Sequence, residues 1–489
     1  MTNNPLLPLY TFRSELHNKL FTDFFEPSTS GWGDKLHVKT LDQSICPSGE
    51  FLREGWGDVM LKKIDLLEEA CLETMWSLED DRDIFIYSDV DVQLFDTPET
   101  ICSELLKELG DYDIACQNDT CGAYCAGFMV IRANDVTLNL FRQMRNHFVR
   151  DDQTTLNHLI GLVNAKKLSN RFFTIAMANG EQVWDGKADF ELPDNLLMHH
   201  ANWVVGVDEK YRLMGIVNRK GMEKEIASIT ERFRPAPKYP VYPPYHQGDY
   251  LEEFFYKKYL ERGYTGGRIF IPISWTSVYN QTNRYALQEI LDALPRDLEY
   301  FTVSQHDDAI QETLPPNTLK FCAGGNSKGI PIPLVCSPIP DEYLKSNDDD
   351  EGRTIFCSFL GSLTHPIRQE IVEKFTKEED GFLISEIQSL QEFIHITSKS
   401  VFCLCPRGYG KSSFRVAEAL QLGAIPVTIG DWNNYPYPII SVDSLYGLAE
   451  YLKWMSKEEI ISRQSALKQC WQDNFAMNAV CNKILNVVL

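Results

Sequence analysis

The second half of the chain alternates short apolar runs with stretches of helical periodicity. The apolar runs are rich in β-branched and aromatic residues, which favours buried strands. Between them lie stretches such as NRYALQEILDAL, whose apolar positions follow the spacing of a helix. This alternation predicts an α/β fold built from doubly wound layers. The predicted strands are RIFIPISW, LEYFTVSQ, LKFCAGG, TIFCSFLG, SVFCLCP and AIPVTIG.

A proline-rich stretch, RFRPAPKYPVYPPYHQG, interrupts the chain near its middle. Such a stretch is extended and semi-rigid, which suits a connection between two globular units. We therefore predict a first domain, a linker and a second domain, at residues 1–232, 233–248 and 249–489 respectively. Within the second domain, the acidic segment SNDDDEG at 346–352 predicts a bridge between two halves.

In the first domain, a short apolar strand at 84–87 leads into Asp89 and Asp91. Side chains at positions i and i+2 of an extended chain project to the same side. Two carboxylates at the carboxyl end of a buried strand, where α/β sheets bind ligands, form a platform for a divalent cation. The alternative for so short a motif is a pair of solvated loop charges.

In the second domain, CPRGYGKSSFRVAEALQLGAIPVTIGD contains a Gly-Lys-Ser turn that leads into a helix and then a strand. The phosphate-binding loop of an ATPase needs a glycine five positions before the glycine of Gly-Lys-Ser, and Cys405 occupies that position. An ATPase is therefore only a remote alternative. Ser412 or Ser413 can cap the predicted helix, and Lys411 lies beside its first amides. A helix N-terminus of this kind still suits a diphosphate.

Arg415 and Glu418 lie three residues apart in the same predicted helix and therefore share a face. A carboxylate one helical turn below a bound phosphate is placed to accept hydrogen bonds from a ribose. The alternative is an ion pair within the helix.

Charge and composition restrict the partners. The 489 residues carry a formal net charge of −22, which argues against nucleic acid or an anionic membrane as a general partner. A bound nucleotide therefore requires local basic groups or a metal ion. Thirteen cysteines without the spacing of a disulfide scaffold predict buried free thiols. The N-terminus has no basic-then-apolar signal, and no run approaches the length of a membrane span, which predicts a cytoplasmic protein.

The first domain resembles a known enzyme family through four motifs. These are Asp-Val-Asp at 89–91, CAGFMVIRAN, RDDQTTLNHLI and LMHHANWVVGVDEKYRLM, in that order. They resemble the GT-A nucleotide-sugar transferases of the plant-type galactosyl- and xylosyltransferase group, over about residues 56–214. The resemblance implies that the Asp-x-Asp pair and a later histidine hold a metal ion on the donor diphosphate. An imidazole beside carboxylates favours Mn²⁺ over Mg²⁺.

Site residues follow from matching these motifs position by position. The implied metal ligands are Asp89, Asp91 and His200, with His199 able to exchange roles with His200. Asp89 would also bind the donor. The other implied contacts are Lys210 near the diphosphate, Gly127 close to the sugar, and Asp152 as a catalytic residue at the transferred sugar or acceptor. A helix cap explains Asp151 or Asp152 equally well.

The second domain resembles the exostosin-type glycosyltransferases. The family's order is followed by a Pro-x-Gly turn, serines, an arginine, a Glu-Ala helix and an IPV strand. The similarity extends over about residues 238–438 and includes FLGSLTHPIRQEIVEKF, YPPYHQGDYLEEFFYKKYL and IPISW. The resemblance implies a compact GT-B unit of two Rossmann-like halves, with an acceptor half at about 249–345 and a donor half at about 352–489. The implied donor-binding residues are Gly361, Arg368, Lys411, Ser412, Ser413, Arg415 and Glu418.

The exostosin resemblance also implies metal-free catalysis with inversion, which requires a general base. The sequence SQHDD, at the end of a predicted strand in the acceptor half, offers His306, Asp307 and Asp308. A helix cap explains these residues equally well.

The two resemblances imply a soluble bifunctional glycosyltransferase. It would transfer sugars from UDP-sugars to a growing oligosaccharide or glycan, with a metal-dependent first site and a metal-independent second site. Transferases of this kind resemble enzymes that build viral or bacterial surface glycans. The alternative is a single active transferase whose other domain serves as a glycan-binding module.

Overall fold

A computed structural model describes most of the chain in two compact units, Met1–Lys224 and Glu225–Leu489. The described residues are 6–48, 53–77, 83–120, 122–187, 190–234, 250–262, 267–281, 284–323, 329–336, 338–339, 352–375, 381–385, 389–430 and 435–489. Most of the proline-rich linker and of the SNDDDEG segment lies outside them, so the domain boundaries remain predictions.

The first unit contains one large mixed sheet and one small sheet. The large sheet has the strand order β2-β1-β3-β6-β5-β7, in which β3–β6 and β5–β6 pair antiparallel and the other pairs are parallel. The small sheet has the order β4-β9-β8. The strands are β1 (Leu9–Arg13), β2 (Leu36–Thr40), β3 (Ile84–Ser88), β4 (Val92–Leu94), β5 (Ile114–Asn118), β6 (Tyr124–Arg132), β7 (Ala165–Lys167), β8 (Phe172–Thr174) and β9 (Met198–His200).

Helices cover both faces of the large sheet. They are α1 (Trp56–Trp76), α2 (Pro98–Leu109), α3 (Asp135–Asn146), α4 (Asp152–Leu159) and α5 (Val207–Ile229). Successive short helical turns fill 15–35, and others lie at Gln43–Ile45, Ile160–Leu162 and Ile175–Met177, while Glu231–Phe233 forms one in the second unit.

Strand β3 is mostly apolar because both of its faces are buried. All five of its residues are buried, because alternate side chains enter different cores. Phe85 and Tyr87 pack in a cluster with Ile64 and Leu67 of α1. Ile84 and Ile86 pack in the opposite cluster, which includes residues of α2. The sheet is therefore covered on both sides, and its ligand-binding edge lies where β3 ends.

The second unit contains two all-parallel sheets. One has the order β10-β11-β12-β13 and the other β15-β14-β16-β17-β18. The strands of the first are β10 (Ile269–Phe270), β11 (Tyr300–Ser304), β12 (Thr318–Cys322) and β13 (Ile330–Pro331). Those of the second are β14 (Ile355–Leu360), β15 (Phe382–Ser385), β16 (Ser400–Leu404), β17 (Ile425–Ile429) and β18 (Ile440–Val442).

The helices of this unit alternate with the strands, and one apolar cluster contains buried residues of both sheets. The helices are α6 (Leu251–Glu261), α7 (Trp275–Gln281), α8 (Leu287–Ala293), α9 (Pro366–Phe375), α10 (Leu390–Ser398), α11 (Phe414–Gln421), α12 (Leu448–Trp454), α13 (Lys457–Asn474) and α14 (Met477–Val488). The predicted α/β fold with two parallel-sheet halves in the second domain is confirmed.

Two other sequence predictions can be compared with the described residues. The twelve cysteines among them are buried and free, as predicted. Within the same residues, every helix is too short or too polar to cross a bilayer.

Candidate functional site

Two carboxylates and an imidazole meet at the carboxyl end of β3. Asp89, Asp91 and His200 each offer one ligand atom, and these atoms all lie within 4.8 Å of one another. The two aspartates follow β3, while His200 ends β9, whose antiparallel partner β4 begins just after Asp91. The Ala201 N–H donates to the Asp91 carbonyl at 2.8 Å and fixes this pairing. The structure thus brings the three predicted metal ligands together.

The orientation of His200 suits a metal ligand. Its Nδ1 lies 2.8 Å from Oε1 of Gln117, and its Nε2 lies 3.3 Å from Oδ1 of Asp91. An amide oxygen only accepts hydrogen bonds, so in the neutral ring Nδ1 carries the proton and Nε2 directs a lone pair toward the carboxylate. Two facing acceptors are stabilised by a shared cation. The set of ligand atoms therefore fits a divalent metal ion. His199 lies on the other side of β9, because side chains alternate along a strand, and it contacts Gln93 there.

The lack of a side chain at Gly127 of β6 leaves room for this cluster. A Cβ built on Gly127 would overlap the His200 ring and would lie 2.8 Å from Oδ2 of Asp89. The Gly127 carbonyl also accepts a hydrogen bond from the Asp89 N–H at 2.7 Å. The close approach predicted at this glycine is therefore made, in the structure, by the aspartate and the histidine themselves.

The Gly127→Ala variant is expected to lose metal-dependent activity roughly 100-fold, because its methyl group must displace His200 or Asp89 by an appreciable fraction of an ångström. Steady-state kinetics of the full chain measures the loss. Gly161→Ala is the matched control, since a Cβ at Gly161 meets no atom within 4 Å. Equal kcat/KM values for the two variants would contradict the proposed role of Gly127.

A buried lysine, Lys63 of α1, connects the cluster to the predicted catalytic aspartate. Its Nζ lies 2.9 Å from Oδ1 of Asp89 and 2.7 Å from Oδ2 of Asp152. Burial lowers the pKa of Lys63, but the carboxylates of Asp152 and Asp89 outweigh burial and hold that pKa above its usual value. The ammonium therefore stays charged and fixes both carboxylates. The sequence signal for Lys63 is only a lone lysine on the apolar face of a helix.

The Lys63→Met variant is expected to lower the free energy of unfolding of the first unit by about 3 kcal/mol, because it leaves two largely buried carboxylates without their counter-charge. Urea denaturation followed by circular dichroism measures this change in the free energy of unfolding. The neighbouring Lys62→Met is the matched control, because Lys62 is 52% exposed. A Lys63→Met midpoint equal to that of the control would exclude this role.

Lys210 supplies a second positive charge at the cluster. Its Nζ lies 2.5 Å from Oδ2 of Asp91. Burial raises the pKa of Asp91, but the Lys210 ammonium outweighs burial and holds that pKa well below its usual value. Asp91 is therefore an ionised carboxylate, with Lys210 beside it as predicted.

The residues of the Asp-Gln motif and the preceding Asp151 each make a different contact. Asp151 caps α4 by accepting from the Thr154 N–H at 2.6 Å, so the cap predicted for Asp151 or Asp152 falls on Asp151. Asp152 instead pairs with Lys63. Gln153 donates from Nε2 to Oδ2 of Asp119 at 2.6 Å.

Asp119, at the end of β5, was not predicted from the sequence. Its Oδ1 accepts hydrogen bonds from Asn202 at 2.6 Å and from the indole N–H of Trp203 at 3.0 Å. Burial raises the pKa of this carboxyl group. Asp119 thereby joins the Asp-Gln segment to the segment that follows His200, and no local pattern in the sequence marks it.

In the second unit, the predicted anion site is a loop that leads into α11. Ser413 caps the helix by accepting from the Arg415 N–H at 3.3 Å, and Gly423, with φ of 76°, follows its end. Lys411 is exposed beside this N-terminus, whereas Ser412 is buried and bonds the Tyr435 hydroxyl. The cap predicted from the sequence is confirmed and falls on Ser413.

Arg368 holds the loop in place. Its guanidinium donates to the carbonyls of Arg407, Ser362 and Pro406 at 2.8, 2.9 and 3.3 Å. These bonds tie the loop after β16 to the segment after β14, where Gly361 lies. In the structure Arg368 therefore supports the loop backbone, and direct donor binding by Arg368 and Gly361 remains a prediction.

Both interpretations of Arg415 and Glu418 remain compatible with the structure. Nη1 of Arg415 lies 3.1 Å from Oε2 of Glu418, so the ion pair exists. The Glu418 side chain is 2% exposed and lies one turn from the helix N-terminus. A contact of Glu418 with ribose stays a prediction.

The three candidate bases follow β11 as predicted. His306 accepts through Nδ1 from the Asp308 N–H at 3.2 Å, and burial lowers its pKa. Asp307 accepts a hydrogen bond from the backbone N–H of Gly410, in the loop before α11, and burial raises its pKa. Asp307 is therefore the candidate that reaches the predicted donor loop.

Two segments of the chain match known families. Residues 80–214 match the family model of the nucleotide-diphospho-sugar transferases, and residues 316–442 match that of the exostosin GT47 domain. A probable glycosyltransferase of Arabidopsis thaliana is 27% identical over 158 residues, which are 29% of this chain and 33% of that protein. A probable glucuronosyltransferase of Oryza sativa subsp. japonica is 30% identical over 114 residues, 21% of this chain and 26% of that protein. The chain thus spans about a third or less of these relatives' length.

Solved structures of glycosyltransferases also resemble the chain. Mouse xyloside xylosyltransferase 1 matches with a TM-score of 0.25 and 10% identity, over 40% of this chain and 97% of that one. The glycosyltransferase GlyE of Streptococcus pneumoniae TIGR4 matches with a TM-score of 0.27 and 11% identity, over 92% of this chain and 98% of that one. The family matches confirm both resemblances and their order along the sequence. Two segments of the chain therefore match glycosyltransferase families, first the nucleotide-diphospho-sugar transferases and then the exostosin GT47 domain.

Proposed function

We propose that the protein is a bifunctional glycosyltransferase that adds sugars from nucleotide sugars, UDP-sugars above all, to a growing glycan. The observation that carries the proposal is that the two units offer different chemistry for a diphosphate. The first has the cluster of Asp89, Asp91 and His200, and the second has the N-terminus of α11 beside Lys411. One site is therefore metal-dependent and the other metal-independent.

In the first unit, Asp89, Asp91 and His200 would hold the metal ion, for which Mn²⁺ is the expected choice. A bound divalent cation supplies charge neutralisation for a leaving diphosphate. The protein's own residues do the rest. Gln117 fixes the His200 ring, Lys63 fixes Asp89 and Asp152, and Lys210 adds positive charge beside Asp91.

In the second unit, fixed protein groups neutralise the leaving diphosphate. The first amides of α11 and the Lys411 ammonium would face the leaving diphosphate, which is the arrangement that lowers such a barrier. Asp307, beside the same loop, is the proposed base that takes the proton of the acceptor hydroxyl. Glu418 is the proposed partner of the donor ribose.

Hydrolysis of a panel of nucleotide sugars by the full chain tests the proposal. UDP-glucose, UDP-galactose, UDP-xylose, UDP-glucuronate and UDP-N-acetylglucosamine are assayed with added Mn²⁺ and with EDTA. We expect at least one activity that EDTA abolishes and a second that EDTA leaves intact. If EDTA abolishes all hydrolysis or none, only one unit is an active transferase, and a glycan-binding role for the other is favoured.

A further inference from the structure

A cavity of about 170 Å³ lies in the second unit, away from the α11 loop. Its wall is formed by the first turns of α6, by Arg234, and by the segment 272–274, which begins two residues after the end of β10. It therefore opens at the carboxyl end of a parallel sheet, the edge at which α/β sheets bind ligands. None of the donor-binding residues proposed above lines it.

The wall combines an aromatic ring with hydrogen-bonding groups of both kinds. Tyr256 lies with its hydroxyl 2.6 Å from Nη1 of Arg234, and its ring centroid lies 4.6 Å from the guanidinium carbon. Glu253 and Lys257 complete the polar lining. Sugar hydroxyl groups both donate and accept hydrogen bonds, and sugar rings pack against aromatic faces, so this wall suits a sugar. Because cationic and acidic side chains occur together, it favours an uncharged ligand.

The cavity is also linked to the loop that holds the candidate bases. Oε1 of Glu252, on the cavity wall, accepts from the Gln305 N–H at 2.9 Å and from the Thr276 hydroxyl at 2.9 Å. Gln305 directly precedes His306 and Asp307. Glu252 is thus a positioning residue that fixes the cavity wall and the start of this loop relative to each other.

We propose that this cavity binds one sugar unit of the glycan acceptor of the second unit. The proposal rests on the transferase function proposed above and adds where that acceptor binds. The volume is below the roughly 300–1,000 Å³ of pockets that hold drug-sized ligands, which limits the occupant to a single small unit. The link through Glu252 places that unit near the loop of Asp307, where the reacting hydroxyl must be.

Saturation-transfer NMR with the full chain tests the proposal. The probes are the methyl glycosides of glucose, galactose, mannose and xylose. The central comparison is Lys257→Met against Lys258→Met, because both lysines lie on α6 but only Lys257 lines the cavity. We expect at least one glycoside to bind to the wild type and to Lys258→Met, with the signal reduced about fivefold or more in Lys257→Met and in Arg234→Met.

Two further measurements keep the outcomes apart. Thermal melting shows whether each variant is folded, and Tyr256→Phe, which removes only one hydroxyl, replaces Arg234→Met if the latter unfolds. EDTA-resistant donor hydrolysis is assayed in the same samples. Glycoside signals that are absent, or equal in all variants, while this hydrolysis persists, overturn the acceptor site alone. If the wild type shows no EDTA-resistant hydrolysis, the proposed function of the second unit is overturned.

Discussion

The Asp91→Asn variant is expected to lose roughly 1,000-fold in metal-dependent activity, while the metal-independent activity of the same chain stays unchanged. Asp91 is buried, contacts His200 and Lys210, and supplies one of the three ligand atoms of the cluster. The amide keeps the shape of the side chain but removes the charge that binds a cation. Removal of one charge-stabilising group typically costs 100- to 1,000-fold, and loss of the ion adds to this.

Steady-state kinetics with an EDTA-sensitive donor measures the effect of Asp91→Asn. Asp185→Asn is the control, because it removes the same charge from a side chain that is 59% exposed in the same unit. If Asp91→Asn retains full activity while EDTA still inhibits it, the metal ion binds elsewhere.

The Glu418→Gln variant is expected to lose at least about 100-fold in metal-independent activity, with most of the loss in donor KM. Its carboxylate is buried one turn below the N-terminus of α11, where a ribose hydroxyl would find a charged acceptor. Hydrogen bonds to charged groups contribute about 1.5–3 kcal/mol each, so two of them account for a loss of this size. The same change removes the Arg415–Glu418 ion pair.

Thermal melting separates the two consequences of Glu418→Gln, since loss of the ion pair lowers the melting temperature and loss of ribose binding raises donor KM. The exposed Glu450→Gln is the control in the same unit. Unchanged donor KM together with a lowered melting temperature would assign Glu418 to the ion pair alone.

Several of the strands that sequence patterns predicted are almost wholly buried. β11, β16 and β17 are internal to their sheets and almost wholly buried, so most of their residues are apolar. β13 and β18 lie at sheet edges and were not predicted; β13 is only two residues long, and both of them are exposed. Edge strands are short and half-solvated, and their pairing depends on neighbours that are distant in sequence.

Some residues of the candidate site could likewise be predicted from the sequence, and others could not. Asp89 and Asp91 were recognisable because a buried strand precedes them, and the cap of α11 because its signals lie within a few residues. Lys63 and Gln117 were missed, because they meet Asp89 and His200 from 26 and 83 residues away. A single lysine or glutamine carries no periodic signal, so only the fold shows that it belongs to the site.

Two separate diphosphate sites in one chain, only one of them requiring a metal ion, are the central claim. Isothermal titration calorimetry of UDP into the full chain tests this claim most directly, with Mn²⁺ in one titration and EDTA in the other. We expect two sites per chain with Mn²⁺ and one with EDTA, and one site for Asp91→Asn under both conditions. The same number of sites for the wild type in Mn²⁺ and in EDTA would contradict it.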